Sequence, residues 1–272
     1  MRPRAGRGGR RLLREHAPPG RVQQELWRVE TQSATLLGRL AWDVSGQRDH
    51  TTAARYYDQA IAAASNLKEG WAEAFPRMFQ RFLPVYTGDA NPQTGLYLAE
   101  QATTRAADGS SHVVAGWSAA FAAEAHALVG EERKARLLLE HADSHLSKAT
   151  ADDPMFEVFS REQLGGFVGA CHLRLNDPTG AEAALQDSAR RLGAGKEKHQ
   201  SVILADLSTA FVLQDDPEQA CAVLHQVIDL VELTGSAAAG KRRAFAVGRQ
   251  LSRWRSEPFV QDVQDRLLAL AS

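Results

Sequence analysis

One short helical pattern occurs five times along the 272-residue chain. In each copy a small residue is followed four positions later by a second residue, larger in most copies, and three positions after that by a small or medium one. The copies are Ala53/Tyr57/Ala60, Gly95/Ala99/Ala102, Ala135/Leu139/Ala142, Ala181/Leu185/Ser188 and Ala220/Leu224/Val227. They start 42, 40, 46 and 39 positions apart. Such a period is typical of helical hairpins that bury their apolar faces only by stacking on neighbouring copies. The pattern therefore predicts an all-α solenoid of five hairpins.

Helical periodicity and turn residues support this prediction. The fifth copy extends over one helix face that holds Ala220, Val223, Leu224, Val227, Ile228 and Val231. Residues suited to capping a helix N-terminus stand before four of the second helices, three of them followed by proline, at Asp49, Asn91-Pro92, Asp177-Pro178 and Asp216-Pro217. Twelve positions before each copy, mostly small residues are predicted to let the two helices of a hairpin approach closely: Ala41, Leu83, Ala123, Gly169 and Ser208.

The repeated pattern resembles the A-x3-F-x2-A signature of tetratricopeptide repeats, lengthened beyond their usual period of about 34 residues. The resemblance implies a right-handed superhelix whose inner wall forms a groove. Residues 22–272 are predicted to form this repeat domain. Its last part, from about Lys241, contains two helical stretches separated at Glu257-Pro258, and is predicted to be a pair of helices that caps the last hairpin.

The charge of the chain is divided unevenly. Residues 1–21 carry seven arginines and one glutamate, a net charge of +6, and residues 22–272 carry a net charge of −7. The basic head is rich in glycine and proline and holds few apolar residues, so it is predicted to be disordered. Such a head binds nucleic acid without sequence preference at most, and it also fits a start codon assigned too far upstream.

Composition narrows the classes of protein further. No uninterrupted run of about 18 apolar residues is present, so a membrane span is not expected and the predicted location is cytoplasmic. Two cysteines, Cys171 and Cys221, lie far apart without a C-x-x-C motif, and we interpret them as buried thiols rather than as a zinc site or a redox pair.

The segment GSAAAGKR, from Gly235 to Arg242, is close to the phosphate loop G-x-x-x-x-G-K-[ST]. A phosphate loop follows a strand and holds magnesium through the Ser or Thr after its lysine. Here an amphipathic helix precedes the segment and Arg242 follows Lys241. We interpret the segment as a helix that ends at Gly235, a short loop and the start of the capping helices. The segment GAGKE at 193–197 fails for similar reasons, and no cofactor is expected.

Other catalytic and metal-binding patterns are weak. His141 and His145 are four residues apart, a spacing that two metal ligands can use, but a third ligand is evident only if Asp143 or His126 approaches them. A solvated helix face is the preferred interpretation. Because the G-x-S-x-G motif is absent and Cys171 is followed directly by a histidine that points elsewhere on a helix, the sequence does not favour an enzyme.

Residues from about Arg28 to Ser272 resemble the C-terminal helical-repeat region of actinobacterial transcriptional regulators with a Cro/repressor-type helix-turn-helix. The resemblance rests on the order of several segments: LLGRLAWDVSGQRDHTTAARYYDQAI, GSSHVVAGWSAAFAAEAHALVG, FSREQLGGFVGACHLRL, HQVIDLVELTGSAAAGKRRAFAVGRQLSRWR and PFVQDVQDRLLAL. It implies a regulatory role in which the repeat domain senses a peptide or protein and sets the dimer state of the DNA reader. A Cro-type reader needs about 60 residues and lacks room before the repeats here. DNA is therefore expected to be bound only through a missing or separate module.

The inner faces of the first helices are predicted to form a binding groove for a peptide or protein partner. By repeat alignment its residues are Trp42, Arg77, Gln80, Arg81, Trp117, Phe121, Glu124, Gln163, Phe167 and Asp206. Rings supply contact area and charges fix the ends of a short peptide. The alternative for Trp117 and Phe121 is that they pack between hairpins, whereas Arg77 and Arg81 are expected to be accessible, because arginine is seldom buried without a partner. A free-standing scaffold without a role in transcription is the alternative function.

Overall fold

The computed structural model describes residues 20–43, 50–86, 91–108, 110–235 and 238–271. Apart from one short 3-10 turn, the regular elements of these residues are α-helices. They are α1 Arg21–Asp43, α2 His50–Ala64, α3 Gly70–Gln80, α4 Phe82–Tyr86, α5 Pro92–Ala106, α6 His112–Leu128, α7 Glu132–Leu146, α8 Arg161–Arg174, α9 Pro178–Arg191, α10 Glu197–Leu213, α11 Pro217–Thr234, α12 Ala238–Gln250 and α13 Pro258–Ala271. Residues 1–19 of the basic head and the capping residue predicted at Asp49 lie outside the described residues.

The helices form five antiparallel hairpins and a closing pair. The hairpins are α1/α2, α3–α4/α5, α6/α7, α8/α9 and α10/α11, and α12 and α13 pack on the last of them. Extensive contacts join elements within one hairpin or in consecutive hairpins. This one-dimensional arrangement is that of a solenoid, so the predicted all-α helical-hairpin fold is confirmed.

The repeated pattern marks where second helices enter the core. In α2, Ala53, Tyr57 and Ala60 are at most 1% exposed, and the corresponding residues of α9 and α11 are at most 3% exposed. Leu139 in α7 is the half-buried exception. The pattern predicted these positions because each small residue admits a neighbouring helix that a larger one excludes.

Close approach within a hairpin occurs at two of the positions predicted for it. Gly169 in α8 faces the fully buried Leu185, and a Cβ atom at Gly169 would lie 2.3 Å from Leu185 Cγ. The hydroxyl of Ser208 in α10 donates a hydrogen bond to the carbonyl oxygen of Ala220 at 2.7 Å. The predicted small residues are thus where the helices of hairpins four and five touch.

Three predicted N-caps are confirmed. The side chains of Asn91, Asp177 and Asp216 accept hydrogen bonds from backbone N–H groups three residues later, at 3.0, 2.9 and 3.1 Å. Proline follows each cap in the first turn, where its missing N–H costs no helical hydrogen bond. These caps set the start of the second helices of hairpins two, four and five.

The segment Gly235 to Arg242 joins the last hairpin to the closing pair. Gly235 ends α11 with a φ of +59°, the left-handed conformation that favours glycine, and α12 begins at Ala238. Gly240 lies within α12, where its backbone packs on Ser201 of α10. The element before the segment is a helix, so the strand that a phosphate loop requires is absent there.

Within the described residues, no helix combines the length and the apolar character needed to cross a membrane.

Candidate functional site

A cavity of about 910 Å³ lies on the side of the solenoid formed by the first helices. We call it the concave groove. Helices α1, α3, α4, α6, α8, α10 and α12 line it, whereas the second helices contribute Tyr57 alone among the described residues. Every hairpin and the closing pair therefore contribute to one continuous surface.

Seven of the ten predicted groove residues line this cavity: Trp42, Trp117, Phe121, Glu124, Gln163, Phe167 and Asp206. The other three, Arg77, Gln80 and Arg81, belong to the second hairpin and do not line it. Pro76 lies inside α3, and the helix ends at Gln80 before the short α4 begins. A repeat alignment that assumes one uninterrupted first helix assigns the wrong face here, and Phe79 and Phe82 line the groove instead.

Arg81 is 2% exposed, and its guanidinium forms an ion pair with Glu124 beneath the groove wall. The rings of Phe82 and Phe121 lie 4.3 and 4.6 Å from it. The expectation that Arg81 is accessible was wrong, because Glu124 supplies the partner that a buried arginine needs.

Arg77 and Gln80 are also engaged away from the groove. Arg77 lies 3.7 Å from Glu73 on its own helix, and Gln80 donates a hydrogen bond to Asp58 Oδ1 at 3.1 Å. The first contact lies within α3, and the second joins α3 to α2 of the first hairpin.

The aromatic floor of the groove is also part of the core. Trp117 and Phe121 are each 5% exposed. Trp117 stacks on Phe159 with ring centroids 4.9 Å apart, and Phe121 contacts Phe167 edge to face at 5.1 Å. The alternative of core packing therefore holds for both rings, and a ligand in the groove reaches little of either one.

The two carboxylates in the groove wall are buried beside arginines. Burial alone would raise the pKa of Glu124. The positive charges of Arg81, Arg174 and Arg243 outweigh burial, so the pKa of Glu124 lies below its ordinary value. Burial dominates at Asp206 and raises its pKa, although Arg243 forms an ion pair with it. Both groups fix arginine side chains within the wall.

All six arginines and lysines among the described residues that line the groove were missed by the repeat alignment. They are Arg39, Arg174, Lys198, Arg242, Arg243 and Arg249. Three of them lie on α12, which the sequence assigned to a cap rather than to the wall. The signal was available in the spacing, because Ala239, Arg242, Ala246 and Arg249 recur at intervals of three or four residues.

The pKa of His199 reflects the burial and the positive charge around it in the groove. Its Nε2 lies 2.8 Å from the side-chain nitrogen of Gln163, so the ring accepts a hydrogen bond there. The residue opens onto the groove, yet the surrounding wall desolvates the ring, and this effect together with the charges of Lys196, Lys198 and Arg39 lowers its pKa to about 4. The neutral imidazole is the form that the site favours.

The cysteines are buried and free, as predicted. Burial raises the pKa of Cys171 to about 12, with a further contribution from Glu124, and burial raises that of Cys221 to about 11. Such thiols are poor nucleophiles at neutral pH.

His141 is exposed, while His145 lies 3.3 Å from His112 of the neighbouring helix, measured between their Nδ1 atoms. Asp143 pairs with Arg161, and His126 pairs with Glu131. The described residues contain no group of three or more His, Cys, Asp or Glu side chains that could hold a metal ion.

No protein-family model and no curated protein matches the chain. Among solved structures, it is similar to TPR-like repeats of a kinesin light chain candidate from Podosopora anserina. One structure has 18% sequence identity and a TM-score of 0.46, and a variant of the same repeats with one substitution has 17% identity and a TM-score of 0.47. Each alignment covers 76% of this chain and 97% of the other.

Proposed function

We propose that this chain is a regulatory repeat domain that binds a peptide or protein partner in its concave groove. The observation that carries the proposal is the cavity of about 910 Å³ that every hairpin and α12 line together. A ligand that spans it contacts several hairpins at once, so its binding free energy acts on their relative orientation.

The regulatory part of the proposal comes from the resemblance to helix-turn-helix regulators. The partner shifts the population of superhelix conformations toward the one that it fits best. This shift repositions a DNA-binding module, or the second copy in a homodimer, that is attached to the solenoid. DNA contact is assigned to that separate module, because residues 22–272 carry a net charge of −7.

Selection from a displayed library of random twelve-residue peptides tests groove binding. Three baits are compared: the wild type, Ala246→Trp, which places a large ring in the groove from α12, and Ala183→Trp, which places the same ring on an exposed position of α9 outside it. We expect the wild type and Ala183→Trp to enrich the same peptides and Ala246→Trp to lose them. Absence of enrichment, or equal enrichment by all three, would overturn the proposal.

A further inference from the structure

The concave groove is positively charged at the surface that a ligand can reach. Six basic residues and two acidic ones are among its described lining residues. Glu124 and Asp206, the acidic pair, are 7% and 8% exposed and are engaged by arginines. The six basic residues are all half-exposed or exposed. The groove thus has a net positive charge although residues 22–272 carry −7.

Helices α10 and α12 run side by side in the same direction along this surface. Ser201 meets Gly240 near their beginnings, Asp206 pairs with Arg243, and Arg253 donates to the carbonyl oxygen of Val212 beyond the end of α12. Lys198 therefore lies toward the start of α12, and Leu213 lies toward its end. This order places the groove residues of the two helices along one axis.

The spacing of two basic residues on α12 sets the spacing of the charges that a ligand must carry. Arg242 and Arg249 lie seven residues apart on the groove face of α12, which corresponds to about 10 Å along a helix. A peptide in the polyproline II conformation has three residues per turn and a rise of about 3.1 Å per residue, so side chains three residues apart share one face and lie about 9 Å from each other. Leu213, which is 46% exposed although it lines the groove, offers an apolar contact near the Arg249 end.

Positive charge from both ends of the solenoid meets in the groove. Arg39 belongs to the first hairpin and Lys198 to the fifth, and both lower the pKa of the same ring, His199. A ligand that brings negative charge between these residues gains complementary contacts.

We propose that the partner segment bound in this groove is an acidic peptide. Its carboxylates lie about three residues apart opposite Arg242 and Arg249, and an apolar side chain lies beside Leu213. The inference rests on the proposed function, because it names the chemistry of the ligand in the same groove.

Charge and ring exposure decide against two other occupants. The chain's own residues 1–21 carry +6, the same sign as the groove. Single-stranded nucleic acid requires ring faces on which bases stack. Trp42, Trp117 and Phe121 are at most 6% exposed. The lining phenyl rings with more open surface, Phe82, Phe167 and Phe245, are half-buried, so no lining phenyl or indole ring presents a fully open face.

The displayed library provides the first measurement, the net charge of peptides that need an open groove. Peptides enriched by the wild type and lost with Ala246→Trp are expected to be more acidic than the unselected library, with acidic residues three apart. A peptide from this set is then labelled with fluorescein, and its affinity is measured by anisotropy at several salt concentrations.

Two double variants remove the same charge from different places. Arg242→Ser with Arg249→Ser removes it from the groove, and Lys241→Ser with Arg255→Ser removes it from positions that do not line the cavity. We expect the groove variant to bind the acidic peptide about tenfold more weakly and with a reduced salt dependence. The control variant is expected to change the affinity less than about twofold. Thermal melting shows whether each variant is folded. If the double groove variant is destabilised, the single variant Arg249→Ser, at an exposed position, is used in its place.

The outcomes separate the two proposals. Groove-dependent peptides with the charge of the unselected library would overturn this inference and leave groove binding intact. A fluorescein-labelled dT12 oligonucleotide that binds more tightly than the selected peptide would also overturn it, in favour of nucleic acid. Equal effects of the two double variants would show that the acidic peptide does not contact α12.

Discussion

Among single residues, the buried pair of Arg81 and Glu124 holds the second and third hairpins together beneath the groove. Removing one partner leaves the other charge in a poorly hydrated site. We therefore expect Arg81→Ala to lower the free energy of unfolding by about 3 kcal/mol. Arg77→Ala serves as the control, since Arg77 is half-buried and lies 3.7 Å from Glu73. Its expected cost is about 1 kcal/mol or less, and equal losses in urea unfolding would contradict the assignment of Arg81.

His145 predicts a pH dependence of stability. Burial, followed by the charges of His112, Lys148 and His141, lowers its pKa below the ordinary value of 6.5. The unfolded chain therefore takes up this proton at a higher pH than the folded one, so folding stability falls as the pH drops below 6.5. The loss is complete once the pH has passed the lower pKa of the folded state.

Urea unfolding at neutral pH and at about pH 5.5, below the ordinary pKa of histidine, measures this effect. His145→Gln is expected to lose less stability on acidification than the wild type, whereas His141→Gln, at an exposed position whose charge is the smallest named contribution to the pKa of His145, is expected to change the pH dependence less than His145→Gln does. An unchanged pH dependence in His145→Gln would show that this residue does not titrate as described.

The sequence predicted seven residues that line the groove, but it did not predict how exposed their side chains are. Trp117 and Phe121 were predicted to face a ligand or to pack in the core, and the structure buries them in the core at the floor of the groove. The misassigned Arg81 depends on Glu124, 43 residues away. Sequence spacing within one helix carries no information about such a partner.

At the scale of helices, small residues set how closely the two members of a hairpin pack. Gly169→Ala puts a methyl group where Leu185, 0% exposed, leaves no space. Alanine is favoured over glycine in a helix by about 1 kcal/mol, and the overpacking costs about 1–3 kcal/mol. We expect a net loss of about 1 kcal/mol in the free energy of unfolding.

Gly193→Ala is the matched control for this substitution. A Cβ atom at Gly193 meets no atom within 4 Å, and this loop glycine does not adopt a positive φ. Its stability is expected to stay unchanged or to rise by up to about 1 kcal/mol, because alanine restricts the unfolded chain. If both variants behave alike in thermal and urea unfolding, close helix approach does not explain Gly169.

The helices themselves were largely predictable, and one interruption was not. Periodicity and caps located the second helices because these signals are local, as the hydrogen bonds that Asp177 and Asp216 accept three residues later in the chain show. Pro76 lies within the first helix of the second hairpin, and that helix breaks after Gln80. The residues there therefore do not take the positions that the repeat alignment assigns to them. The helix α12 was assigned to a cap, and its contribution to the groove depends on its packing against α10.

For the whole molecule, stacking of five hairpins produces the surface to which we assign the function. Each hairpin exposes the inner face of its first helix, and consecutive packing joins these faces into one cavity. The sequence predicted this architecture because a repeat with a nearly constant period implies neighbour-to-neighbour burial. The positive charge of the groove was not predicted, since its residues come from hairpins that are distant in sequence.

Photo-cross-linking of a groove-selected peptide to the full chain tests the central claim most directly. A diazirine is placed at each peptide position in turn, and cross-linked residues are identified by mass spectrometry. The account predicts that the adducts concentrate on α8, α10 and α12. Adducts concentrated on the second helices α7, α9 and α11 would show that partners bind elsewhere and would contradict the account.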